Sequence, residues 1–134
     1  MFRMLPVLLL AVLVPLVAQA SSGPVVTASG LVFEELRAGD GERPGARDRV
    51  RVHYRGTFTD GREFDSSYGR GRPIDFALNQ VIACWTEALQ RMQVGAKARL
   101  ICPPAIAYGS RGAGRVIPPD ATLMFEVELL GVLR

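Results

Sequence analysis

Residues 81 to 92, VIACWTEALQRM, place the tightest limit on what this chain can fold into. Trp85, Leu89 and Met92 recur at i, i+4 and i+7, while Thr86, Glu87, Gln90 and Arg91 fall on the other side, as in an amphipathic helix. Such a helix has only about eight to ten residues, below the ~12–15 at which an isolated helix becomes marginal in water. It must be held by whatever is wrapped around it. The flanking sequence reads as strands, so the expectation is a sheet curled over one helix, with Trp85, the only tryptophan, where they meet.

The strands show themselves by alternation. In RVRVHYRGTF, Val50, Val52, Tyr54 and Phe58 share one face against Arg49, Arg51, His53 and Arg55, which is the period of a half-buried strand. Asp60-Gly61 marks a hairpin turn and Phe64 begins the return. Leu31, Phe33 and Leu36 suggest an earlier strand ending at Gly39-Asp40-Gly41. Ile74, Phe76 and Leu78 alternate before the helix, and Ala98, Leu100 and Cys102 after it, up to Pro103-Pro104. Leu123, Phe125, Val127 and Leu129 alternate against Met124, Glu126 and Glu128 in a terminal strand. Between these last two strands runs a long Gly- and Ser-containing loop with Tyr108, of a length that in small domains usually carries function. The chain therefore reads as one α+β domain built on an antiparallel sheet.

The N-terminus has a separate character. Residues 1 to 20, MFRMLPVLLLAVLVPLVAQA, combine Arg3, an apolar run over residues 4 to 17 and an Ala18-Gln19-Ala20 site, the make-up of a cleaved export signal. Pro6, Pro15 and a run shorter than ~18 residues argue against a membrane anchor. The expected mature chain begins at Ser21, with residues 21 to 28 a flexible leader and 29 to 134 the domain. Removing residues 1 to 20 changes 16 basic against 13 acidic side chains to 15 against 13, because Arg3 is their only charge. So small an excess, spread along the chain, does not make a nucleic-acid binder. The Ser-, Gly- and Arg-rich loop 66 to 73 lacks the pattern of a phosphate cradle.

Cys84 and Cys102 are the two cysteines. In an exported chain an even count suggests a disulfide, and two reduced buried thiols are the alternative. A redox pair or metal centre would want C-x-x-C spacing or further ligands, and His53 is the only histidine. A bridge closing a loop of this length would stabilise by ~3 kcal/mol in the chain-entropy view. His53, on the polar strand face, reads as a solvated or edge residue.

Taken in order and spacing, HYRG (53–56), FDSSY (64–68), VIACW (81–85), AYGSRG (107–112) and IPPDATLMFEVELL (117–130) resemble the FKBP-type peptidyl-prolyl cis–trans isomerases over about residues 29 to 134. The resemblance implies a five- to six-stranded antiparallel β-sheet curled around one short α-helix. It implies a proline pocket in which Tyr54, Phe64, Asp65, Trp85 and Tyr108 carry catalysis, and Arg70, Ile74, Phe76, Val81, Ile82, Ile117 and Phe125 bind substrate or macrolide. The Ile82 backbone N–H and the Tyr108 hydroxyl are the implied donors to substrate carbonyls. Asp65 is read mainly as a wall carboxylate paired with Arg70 and the Tyr54 hydroxyl, with electrostatic contact to the twisted carbonyl as a second role. Ile74 stands where an aromatic residue is common, and Ala113 where some members carry histidine. Cys84 replaces a usual glycine and Cys102 a usual aliphatic residue, and that paired substitution favours the bridge.

The implied activity needs neither metal nor cofactor, since rotation about an X-Pro bond changes no covalent partner. The expected partners are proline-containing polypeptides, with tacrolimus or rapamycin as pocket inhibitors. The expected location is the bacterial periplasm, and the expected state is a monomer, since the N-terminal helical dimerisation arm of longer exported relatives has no counterpart here. A different class, a non-catalytic holdase or binding module using the same cleft, is the alternative. A thiol oxidoreductase would rest on the two cysteines alone.

Overall fold

The computed structural model of the protein describes residues 11–12 and 23–134. Apart from Ala11 and Val12, the expected signal and its cleavage point at Ser21 lie outside the described residues. The chain runs through β1 (Val25–Val26), β2 (Val32–Arg37), β3 (Arg49–Phe58), β4 (Glu63–Ser66), β5 (Ile74–Ala77), α1 (Ala83–Gln90), β6 (Lys97–Cys102) and β7 (Leu123–Leu133). All seven strands pair antiparallel in one sheet, in the order β1-β2-β6-β7-β3-β4, with β5 also against β3.

The ten residues of β3 organise this sheet. One edge pairs along its whole length with β7, from Arg49↔Leu133 to Phe58↔Leu123. The other edge is shared, β5 taking Arg49–Val52 and β4 taking Arg55–Thr57. The alternation read from the sequence is the alternation of burial: Val50, Val52 and Tyr54 face inward with Leu123, Phe125, Val127 and Leu129 of β7 and Ala98, Leu100 and Cys102 of β6. Against that concave face lies α1, burying Cys84, Trp85, Ala88 and Leu89, with Met92 just beyond its end.

At eight residues α1 is as short as its sequence required. Its N-cap, Ile82, offers no side-chain hydrogen bond, and its first turn holds no acidic residue to complement the dipole. Burial and a hydrogen bond from Thr86 Oγ1 to the Leu78 carbonyl (2.5 Å) hold it instead.

Three expectations need correction. The sheet has seven strands, one above the expected range, because Val25–Val26 pairs with Val32 and Phe33. That pair falls inside the segment read as flexible leader, and the Thr27 N–H to Leu31 carbonyl bond (2.9 Å) closes the turn behind it. Leu78 is buried but ends β5 in a 3-10 turn (Leu78–Gln80) rather than extending the strand.

Candidate active site

Between the concave face, the start of α1 and the loop after β6 opens a cavity of about 430 Å³. Its lining is Tyr54, Phe64, Asp65, Phe76, Gln80, Val81, Ile82, Trp85, Tyr108 and Phe125. This volume lies within the ~300–1,000 Å³ of ordinary small-ligand sites. The lining comes from β3, β4, β5, the turn before α1, α1 itself, the β6–β7 loop and β7.

Trp85 is at the centre of an aromatic box. Tyr54, Phe76 and Phe125 meet its indole edge-on, with ring centroids at 5.1, 5.4 and 5.4 Å and interplanar angles of 83°, 81° and 84°. Phe64 stands edge-on to Phe125 at 5.7 Å. Edge-to-face pairs of this kind add roughly 0.5–1.5 kcal/mol each beyond buried area. The indole Nε1–H is buried and has no partner among the described residues, so packing and backbone position alone orient the ring.

The polar wall is a three-residue unit. The Tyr54 hydroxyl donates to Asp65 Oδ2, Arg70 Nη1 donates to Asp65 Oδ1 (2.9 Å), and Arg70 Nη2 donates to the Tyr54 oxygen (3.0 Å). The Ser66 N–H also donates to Asp65 Oδ1 (2.9 Å). Burial pushes the Tyr54 phenol up to about 12, its bond to Asp65 adds to this, and Arg70 opposes it. The phenol is therefore a fixed neutral donor. Asp65 and Arg70 stay partly exposed, so their ion pair at 2.9 Å is screened by water and orders the wall more than it stabilises the fold.

Two donors at the cavity are uncommitted. The Ile82 carbonyl accepts from Trp85 and Thr86 N–H groups (3.0 and 3.2 Å), while the Ile82 N–H, at the open end of the helix, has no partner among the described residues. The Tyr108 hydroxyl likewise bonds nothing among the described residues, and its side chain is 41% exposed. A carbonyl-bearing ligand in the cavity could accept from either group.

Of the twelve residues expected at a pocket, nine line the cavity. The other three are not part of its lining. Arg70 fastens Asp65 and Tyr54, Ile74 packs against the core, and Ile117 is buried with its N–H bonded to the Ala113 carbonyl (3.1 Å). Two further residues were not anticipated. Gln80 lines the cavity from the 3-10 turn before Val81. Ser67 is fully buried behind it, its Oγ accepting from the Tyr54 N–H (2.7 Å), donating toward the Tyr54 carbonyl (3.2 Å) and meeting His53 Nδ1 (2.9 Å). The sequence FDSSY contained Ser67, but nothing in its spacing marked it as interior. His53 is more engaged than expected: it is partly buried and stacks on Tyr68 at 4.6 Å. Cys84 and Cys102 form a disulfide, with Cα atoms 5.8 Å apart. Among the described residues no group of three or more His, Cys, Asp or Glu side chains converges as a metal site would.

Residues 40–130 match the family of FKBP-type peptidyl-prolyl cis-trans isomerases. The FKBP-type 22 kDa peptidyl-prolyl cis-trans isomerase of Escherichia coli K12 is 54% identical over 107 residues, which cover 80% of this chain and 52% of that protein. FkpA, an FKBP-type peptidyl-prolyl cis-trans isomerase of the same strain, is 48% identical over 110 residues, covering 82% of this chain and 40% of that one. The chain thus spans about half the length of these relatives. Among solved structures, a peptidyl-prolyl cis-trans isomerase from Pseudomonas syringae superposes with a TM-score of 0.78 at 44% identity, covering 86% of this chain and 84% of that one. Fold, pocket and sequence agree, and the chain belongs to the FKBP-type peptidyl-prolyl cis-trans isomerase family.

Proposed function

We propose that the domain, residues 29 to 134, accelerates cis–trans rotation about X-Pro bonds in exported polypeptides as they fold. The observation that carries this is the aromatic cavity around Trp85 with two uncommitted donors, the Ile82 N–H and the Tyr108 hydroxyl, at its lining. Rotation about a peptide bond faces a barrier of ~18–20 kcal/mol because amide resonance must be broken. Only interactions that favour the twisted state over both planar states lower it.

In the twisted amide the carbonyl carries less charge separation, so an apolar enclosure suits it better than water does. Trp85 serves as the floor beneath the proline ring, with Tyr54, Phe64, Phe76 and Phe125 as walls and Val81 and Ile82 closing the side. The Ile82 N–H and the Tyr108 hydroxyl orient the flanking carbonyls and so reduce the entropy to be lost on the way to the transition state. Asp65 acts first as a clamp on Tyr54 and the wall, and secondly as a charge beside the rotating carbonyl. Arg70, Ile74 and Ile117 support these groups. The same cavity accommodates macrolides such as tacrolimus or rapamycin. The protein is exported to the periplasm after removal of residues 1 to 20 and acts as a monomer. Among the described residues no helix is long and apolar enough to cross a membrane.

A protease-coupled or NMR exchange assay on an Ala-Leu-Pro-Phe-type peptide tests this reading. Turnover well above the uncatalysed rate at micromolar protein is expected. A rate equal to background, with retained suppression of client aggregation, would make the cleft a holdase surface and overturn the assignment.

A further inference from the structure

Two segments face each other across the proline pocket. One is the start of α1 with Val81, Ile82 and Trp85; the other is the loop from Pro103 to Ile117, which carries Tyr108. Among the described residues no hydrogen bond or ion pair joins α1 to β6 or to that loop. The polar ties of α1 lead elsewhere: Thr86 to Leu78, Glu87 to Ser29, and the Arg91 carbonyl just past its end to Arg43 (2.5 Å). The one covalent link is Cys84–Cys102.

That link is placed where both segments begin. Cys84 is the second residue of α1 and immediately precedes Trp85. Cys102 is the last residue of β6, and Pro103 and the 3-10 turn Pro104–Ile106 lead from it directly to Tyr108. Both half-cystines are fully buried. The helix start lacks a side-chain cap, and the Trp85 indole has no hydrogen bond to fix it. Packing on Tyr54, Phe76 and Phe125 and the Thr86–Leu78 bond tie this end of α1 to the sheet, and the bridge at Cys84 ties it to the strand that leads into the Tyr108 loop.

We infer that the Cys84–Cys102 bridge is a positioning element of the proline pocket. It holds Trp85 and the Ile82 N–H in register with Tyr108, so that the competent pocket belongs to the oxidised protein. This rests on the isomerase reading of the same pocket. Two cysteines replacing residues that would pack there without a bond make the site depend on a reversible covalent tie. Reduction by dithiothreitol breaks the S–S bond, delivers two electrons and two protons to give two cysteine thiols, and leaves the reductant as its cyclic disulfide.

The test compares the oxidised protein with a Cys84→Ala/Cys102→Val variant, which removes the bond and keeps apolar volume. Peptide turnover, tacrolimus affinity and Trp85 emission are measured at a temperature where circular dichroism shows both fully folded. Turnover and affinity are expected to fall about tenfold, for a displacement smaller than the ~1 Å that can cost about a hundredfold. Trp85 emission should shift in parallel. Wild type unfolded and reduced in denaturant, then refolded with dithiothreitol and confirmed by mass to carry two thiols, should reproduce the variant; reoxidation should reverse it, and the variant should ignore the same treatment.

Unchanged turnover, affinity and emission beside a lowered melting temperature would make the bridge a mere staple and overturn the inference. If the oxidised protein shows no turnover at all, the isomerase reading fails, while tacrolimus affinity and emission still decide the role of the bridge. Should the variant not fold, it is measured in sodium sulfate, which strengthens apolar burial. A chain that stays unfolded there shows a folding requirement instead and also overturns the inference.

Discussion

The Tyr54 hydroxyl donates to Oδ2 of Asp65, joining the central strand β3 to its hairpin partner β4 at the wall of the cavity. A phenol so held serves as a donor only while protonated, and burial reinforced by the carboxylate keeps it so, up to about 12. The Tyr54 hydroxyl therefore stays a donor throughout the neutral range.

A titration follows from this. A tyrosine in water ionises near ~10, and folding favours the protonated Tyr54. Its contribution to stability is complete below pH ~10 and is lost as pH rises through about 12. Phenolate absorbance should show one tyrosine ionising near pH 12, and Tyr54→Phe should remove that step. If the step persists in the variant, the late-ionising phenol is not Tyr54.

Replacing Asp65 separates its two roles. Asp65→Ala frees Arg70 and Tyr54 together and should lower kcat/KM for a proline peptide about tenfold, equivalent to ~1.4 kcal/mol of transition-state stabilisation. Asp65→Asn keeps an acceptor for the Tyr54 hydroxyl but removes the charge. A mainly structural Asp65 predicts that the asparagine variant keeps most of its activity. Equal losses in both would rule out a role confined to the Tyr54 bond, because asparagine keeps neither the charge nor the second acceptor that Arg70 and the Ser66 N–H use.

The part of this fold visible in the sequence is the part governed by a period. Val50, Val52 and Tyr54, and Leu123 to Leu129, alternate in burial as they alternate in type. Trp85, Leu89 and Met92 share the buried side of the helix region for the same reason. As a set, the pocket residues carry no such period, and the sequence pointed to them only through the resemblance to a family. Val25–Val26 is too short to show a period. Ser67 and Gln80 were missed because tertiary partners alone bring each to its place: Tyr54 bonds Ser67 from across the sheet, and the turn at Leu78–Gln80 aims Gln80 at the cavity.

Ser67 carries its own prediction. Its hydroxyl satisfies the Tyr54 N–H at 2.7 Å in a fully buried site. Ser67→Ala strands that donor, at a cost of about 1–3 kcal/mol. Chemical unfolding should show this loss with an unchanged m-value. Because Tyr54 is the residue left unsupported, kcat/KM should fall as well. A stable variant with full activity would mean that water takes the place of the hydroxyl.

Gly56 tests the wall from the other side. It faces Phe125 across the β3–β7 pair, and a Cβ there would lie 2.6 and 2.8 Å from Phe64 ring carbons and 3.0 Å from the Phe125 ring. Neither ring has free space behind it, since Phe64 also packs on Phe58 at 5.0 Å and Phe125 on Trp85 at 5.4 Å. In Gly56→Ala the Phe64 ring is expected to swing toward the cavity, with overpacking costing about 1–3 kcal/mol and narrowing the proline site. Peptide turnover and tacrolimus affinity should both drop. Adding Phe64→Leu, which removes the clashing ring atoms, should recover stability in a double-mutant cycle, because neighbours in contact do not act additively. Strictly additive losses in that cycle would mean that the alanine displaces the β3 backbone and not the aromatic wall.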